Sequence, residues 1–186
     1  MNKNIIVKEN EKKLIPVLWT GEETELSYDI KLTGRNASIK FFGLLLGNEN
    51  QSLALSVKVA HQAKDTKSEI IIKSALSDSA EVDIDGLVKI EPGAKGTNAW
   101  LAAHLLLLSE RAKGKAIPSL EILENDIKAG HATTVGRIND LEMFYLMSRG
   151  LSQISAKKLI VEGFLNSMID VFPKVMAEKA RKAVVL

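Results

Sequence analysis

The sequence predicts a mainly β fold completed by α-helices at its C-terminal end. Three observations carry that reading. Apolar residues alternate with polar ones from about Glu23 to Ile122, turn-forming clusters interrupt the alternation at short intervals, and near Asn139 the apolar spacing lengthens to that of a helix. Such an alternation suits a stacked or a sandwiched β unit, and periodicity alone does not choose between them.

The elements follow in order. Leu26, Tyr28, Ile30 and Leu32 alternate with Ser27, Asp29, Lys31 and Thr33, the pattern of a half-buried strand. Leu53, Leu55, Val57 and Val59 repeat it, and shorter versions stand at Ile39/Phe41, Ile70/Ile72, Val82/Ile84, Val88/Ile90 and Leu120/Ile122. Thr33-Gly34-Arg35-Asn36, Gly47-Asn48-Glu49-Asn50, Ser77-Asp78-Ser79 and Glu91-Pro92-Gly93 supply the turns. No helical segment of crossover length separates the strands, which disfavours a doubly wound α/β sheet.

Asn139 or Asp140 can cap a short helix with Leu141, Phe144 and Tyr145 on one face, ended by Gly150 in a left-handed turn. Ser152 can cap a longer one. In it Val161, Phe164, Leu165, Met168 and Phe172 fall at i, i+3, i+4, i+7 and i+11, an amphipathic stripe. Pro173 kinks or restarts this helix, and the tail beyond mixes Met176, Ala180, Ala183 and Val184 with basic residues that suit a helix C-terminus.

Composition narrows the function. With 46% hydrophobic and 26% charged residues over 186 positions, the chain is an ordinary folding domain. Its net charge of +2 is spread without a basic stripe, so nucleic acid is not an expected partner. The N-terminal residues lack the apolar stretch of a signal peptide, and His104 interrupts the apolar run Leu101–Leu108, so we expect a cytoplasmic protein without a membrane span. Cysteine is absent, which excludes disulfides, thiol nucleophiles and any cluster held by the chain's own thiolates.

Enzyme signatures fail in turn. Gly93-Ala94-Lys95-Gly96-Thr97 places its Lys before the second Gly, the reverse of a phosphate loop, and reads as a turn leading into a strand. Asp83 and Asp85 share one strand face and read as solvent-facing rather than as a glycosidase pair. His61 reads as a solvated turn residue, and His104 as a hydrogen-bonded core or groove histidine. His131, between Gly130 and Ala132, has small neighbours that permit close approach by another chain or ligand, and imidazole is a competent iron or zinc ligand, although the residues alone favour a structural role.

Three runs are more specific. They are Pro118-Ser119-Leu120-Glu121-Ile122, then Asn125-Asp126-Ile127-Lys128-Ala129-Gly130-His131-Ala132-Thr133-Thr134-Val135-Gly136, then Phe144-Tyr145-Leu146-Met147-Ser148-Arg149-Gly150-Leu151. Their order and spacing resemble the SufB/SufD family, and Gly86–Ile90, Leu105–Ser109, Ala156 and Gly163-Phe164 extend the match from about Val82 to Asp170. The resemblance implies a right-handed parallel β-helix over 1–138, including an N-terminal segment, and a C-terminal helical region over 139–186.

It also implies a role. Members are paired, non-catalytic scaffolds of SUF-type iron–sulfur cluster assembly that bind a soluble ABC-type ATPase through the helical region. Carried over residue by residue, it makes His131 a candidate iron or cluster ligand at an interface. The candidate ATPase contacts are Phe164, Met168, Phe172, Val175 and Met176. Ala129 stands where many SufD-like members have Cys, and the cluster-building Cys of SufB-like members has no counterpart. The expectation is therefore a homodimer, or a heterodimer with a SufB/SufD paralogue, that holds no stable cofactor alone and meets iron or a cluster transiently at the interface. Two other readings compete: an ATPase-regulating adaptor without iron chemistry, and a β-helical carbohydrate-active enzyme, against which the 5% aromatic content speaks.

Overall fold

The computed structural model describes residues 1–183. Ten strands come first: β1 (Asn2–Val7), β2 (Lys12–Trp19), β3 (Glu25–Leu32), β4 (Ser38–Gly47), β5 (Ser52–His61), β6 (Lys67–Leu76), β7 (Glu81–Ile90), β8 (Thr97–Leu107), β9 (Lys113–Ile122) and β10 (Ile127–Arg137). Helices α1 (Asp140–Ser148), α2 (Gln153–Ile169) and α3 (Lys174–Ala183) follow. Each strand pairs in parallel with the strand two places on, so the odd strands form one five-stranded sheet and the even strands another. The chain is thus a parallel β-helix of about five turns, each turn contributing one strand to each sheet.

The strand alternation becomes stacked columns. Ile5, Ile30, Val59, Val88 and Leu120 occupy one register column in the odd sheet, and Ile15, Phe41, Ile70, Leu101 and His131 one in the even sheet. The interior members of both columns are buried. The short motifs at Val82/Ile84 and Val88/Ile90 are one strand, β7, with Gly86 between them on the inward face. A Cβ at Gly86 would stand 2.8 Å from Leu101 Cδ1, so the missing side chain lets the facing sheet close in.

The corners stack as well. Asn10, Asn36 and Asp65 take φ of 58°, 59° and 60°, and Gly96 takes 74°, a left-handed conformation tolerated best by Gly, Asn and Asp. Each of these donates its N–H to a carbonyl of the next turn, from Asn10 to Arg35 O (2.9 Å) through to Gly96 to Asp126 O (2.7 Å). The strand ladder therefore runs on through the bend.

A second apolar cluster fixes the helices. β4 is buried on both faces from Phe41 onward, and its outward Phe42, Leu44 and Leu46, with Ala75, pack against Val161, Leu165, Met168, Ile169, Phe172, Ala177 and Ala180. Burial of each large side chain is worth roughly 1.5–3 kcal/mol, enough together to hold α2 and α3 on the even sheet. Polar ties add to it: Lys73 Nζ donates to Phe164 O and Ser167 Oγ, and Lys157 Nζ to Leu108 O. Asn139 caps α1 and Ser152 caps α2, each accepting a backbone N–H. Gly150 turns at φ +94°, and α3 begins just after Pro173, which restarts the helix. Val184 of the expected tail stripe lies outside the described residues.

Candidate functional site

The last coil differs from those beneath it because nothing stacks on it among the described residues. β10 continues the inward phase of β8: Ala129 on Ala99, His131 on Leu101, Thr133 on Ala103 and Val135 on Leu105. The β8 members are each at most 3% exposed, whereas Val135 is 44% exposed and His131 is also exposed. β9 does the same, with Ala116, Pro118, Leu120 and Ile122 only partly covered. The outer edges of β9 and β10 carry no partner strand among the described residues, so their backbone donors and acceptors are open for pairing. His131 stands within this face.

Gly130 serves the other side of β10. A Cβ there would meet the Trp100 ring at 2.6 Å, so the indole lies against bare backbone while remaining 45% exposed. Trp100 is an exposed aromatic that the sequence reading passed over; its position in an outward phase was the available signal. His131 itself is one imidazole, and among the described residues no three His, Asp or Glu side chains gather closely enough to hold a metal ion.

The candidate partner residues do not form one surface. Met168 and Phe172 are buried in the cluster on the even sheet, Phe164 is half-buried with Lys73 Nζ 4.7 Å from its ring centre, Met176 is half-buried, and Val175 is 80% exposed. A different apolar surface is open. α1 has no buried residue, and Leu141, Tyr145 and Leu146 line a groove with Leu159 and Ile160 of α2; Phe144 of α1 and Ile154 of α2 are also exposed. Apolar residues all round α1 were the sign that it has more hydrophobic surface than this chain covers.

The other histidines are structural in placement. His104 is half-buried, its Nδ1 2.8 Å from Thr134 Oγ1, and burial followed by the Lys73 charge lowers its pKa. The solvated-turn expectation for His61 is corrected: the ring is fully buried at the end of β5, inside the solenoid, and burial pushes its pKa down to about 4. The polar stretch after it bends outward while the alternation carries His61 inward. Lys95 and Gly96 form a turn into β8, as expected, and Asp83 and Asp85 face solvent, Asp83 lying 3.5 Å from Lys115 Nζ.

Comparison with known proteins agrees with this architecture. Residues 2–164 match the family described as SUF system FeS cluster assembly, SufBD core domain. The chain is 36% identical over 130 residues to the iron–sulfur cluster assembly protein SufD of Bacillus subtilis, covering 70% of this chain and 30% of that protein. It is 32% identical over 164 residues to an iron–sulfur cluster assembly SufBD family protein of Mycobacterium leprae, covering 84% of this chain and 42% of the relative. A SufBD family protein of Mycobacterium tuberculosis shares 29% over 154 residues, 82% of this chain and 18% of its own length. The chain therefore spans well under half the length of each of these relatives.

Proposed function

The chain belongs to the SufBD core-domain family of the SUF iron–sulfur cluster assembly system, and from that premise we propose that it is a non-catalytic scaffold that works through its two open surfaces. The last coil pairs with a second copy or with a SufB/SufD paralogue, and the helical region docks a soluble ABC-type ATPase. The observation that carries this reading is the open coil. Two adjacent strand edges and a half-covered apolar face surround His131, so a partner that completes the stack would bury the edges and bring its own ligands beside the imidazole.

Cluster chemistry on such a face needs the partner. Common clusters take several soft thiolate ligands, and this chain has none. In the paired form His131 supplies one nitrogen and the partner the sulfur ligands, with the cluster or iron as cargo. Anaerobic reconstitution tests this. The chain alone should hold no persistent cluster, and the complex with a cysteine-bearing paralogue should retain less iron when His131→Ala is introduced. Persistent charge-transfer absorption with stoichiometric iron and sulfide on the isolated chain would overturn it.

The absence of cysteine also favours a second reading, an adaptor that regulates the ATPase without iron chemistry. Both readings place the ATPase on the helices, where the α1–α2 groove offers apolar anchors for helix-in-groove contact. Calorimetry against the ATPase should show binding lost in Leu141→Asp with the circular dichroism spectrum unchanged. Iron retention that ignores His131 in the paralogue complex, with ATPase binding intact, would select the adaptor.

A further inference from the structure

His61 lies at a corner of the solenoid with both ring nitrogens engaged. Nδ1 is 2.8 Å from Thr66 Oγ1, and Nε2 is 2.8 Å from Ser68 Oγ. Thr66 Oγ1 is in turn 3.0 Å from Thr97 Oγ1 and 3.2 Å from Ala63 O, and Thr97 Oγ1 donates to Ala94 O at 2.7 Å. His61, Thr66, Ser68 and Thr97 are each at most 4% exposed. The group joins the end of β5 to the starts of β6 and β8, across two successive turns of the helix.

Counting hydrogens gives the chain a direction. Thr97 spends its proton on Ala94 O, the shortest contact. Thr66 then gives its own to Thr97 or to Ala63 O, and its oxygen must accept from Nδ1–H. Nε2 is left as the acceptor, and Ser68 donates to it. With the opposite polarity Nε2–H would point at Ser68, whose hydroxyl proton has no other acceptor among the described residues. A buried donor left in that state is costly.

We propose that His61, Thr66, Ser68 and Thr97 form a one-way hydrogen-bond chain that fixes the imidazole as its Nδ1–H tautomer and acts as an acid-sensitive pin between neighbouring coils. A second proton can enter only at Nε2. It displaces the Ser68 donor, leaves that hydroxyl unpartnered and puts a positive charge where no counter-charge faces it. The register neighbours of His61 are Leu32 and Ile90. The charged groups adjoining these residues and their register neighbours, Lys31, Lys64, Asp65, Lys67, Glu69, Lys89, Glu91 and Lys95, are all at least partly exposed, and Glu69 is occupied by Lys40 at 2.9 Å. Asp65 is occupied by Arg35 at 2.8 Å and Glu91 by Gln62 at 3.0 Å. Burial is accordingly the cause that pushes the ring down to about 4 from the ordinary histidine value of 6.5. Because the unfolded chain takes up the proton first, the contribution of the neutral ring is whole above pH 6.5 and is lost as pH falls toward about 4.

Long-range proton–nitrogen NMR on the full chain with labelled histidine reads the tautomer directly. Nδ1–H and no titration of His61 above about pH 5 are expected, and Nε2–H or titration near the ordinary histidine value overturns the proposal. Ser68→Ala, which removes the donor to Nε2, should leave the ring as its Nδ1–H tautomer held by Thr66; a switch to Nε2–H also overturns it. In thermal melts the wild type should lose at least roughly 4 °C more than His61→Gln between about pH 7 and about pH 4.5. Equal losses would remove the pin.

Discussion

β5 and β10 carry similar alternations and meet different fates. In β5 every second side chain from Leu53 to His61 is buried, whereas in β10 the equivalent phase ends in exposed His131 and Val135. The local backbone is the same extended, parallel-paired strand in both. What differs is the coil above: β5 lies between β3 and β7, and β10 has β8 on one side only. Amphipathic alternation thus specifies which way a side chain points, and the stack specifies whether that direction is an interior. In a solenoid the same device that builds the core makes an adhesive end wherever stacking stops.

The largest test of that contrast is truncation of an inward side chain in each region. Ile72→Ala, on an interior strand, should cost about 2–5 kcal/mol in urea unfolding, and Val135→Ala, in the open coil of the unpaired chain, less than about 1 kcal/mol. Equal costs would mean that the last coil is covered in solution. Its converse places a charge there. Val135→Lys should dissociate a self-associated form to the 20.4 kDa species in light scattering with little change in melting temperature. Wild type that already runs as that species alone would break self-pairing and leave only pairing with a paralogue.

The helices repeat the comparison on a smaller scale. Ser152→Ala should cost about 1 kcal/mol of global stability, because α2 is anchored in the cluster on the even sheet. Asn139→Ala should instead speed amide exchange within α1 and leave the global midpoint in place, since α1 buries no side chain. Smallest is the surface tie of Lys179 to Glu22 at 2.7 Å. Both partners are more than half exposed, so Lys179→Ala should cost about 0.2–1 kcal/mol at low salt, a loss that shrinks as salt screens the pair.

Much of this was legible in the chain. Leu26–Leu32 and Leu53–Val59 announced their strands, Asn139, Ser152 and Gly150 their helix ends, and the runs around Pro118, His131 and Phe144 the family. β1 and β2 were passed over because Asn2–Val7 and Lys12–Trp19 alternate poorly at the other end of the stack, where exposure relaxes the pattern. His61 was misplaced because its polar neighbours suggested a turn. The strand phase, which points it inward, was the stronger local rule.

Sequence by itself determined the faces: a period of two sets which side chains share one side of a strand, and Asn, Asp and Gly mark where the chain can turn left-handed. It did not determine the partners. That each strand pairs with the one two places on, that Met168 and Phe172 bury against β4 while Leu141 and Phe144 stay outside, and that His131 ends an apolar column were decided by the tertiary structure. The reason is that alternation is a local property of the backbone, whereas burial depends on surfaces brought together from distant parts of the chain.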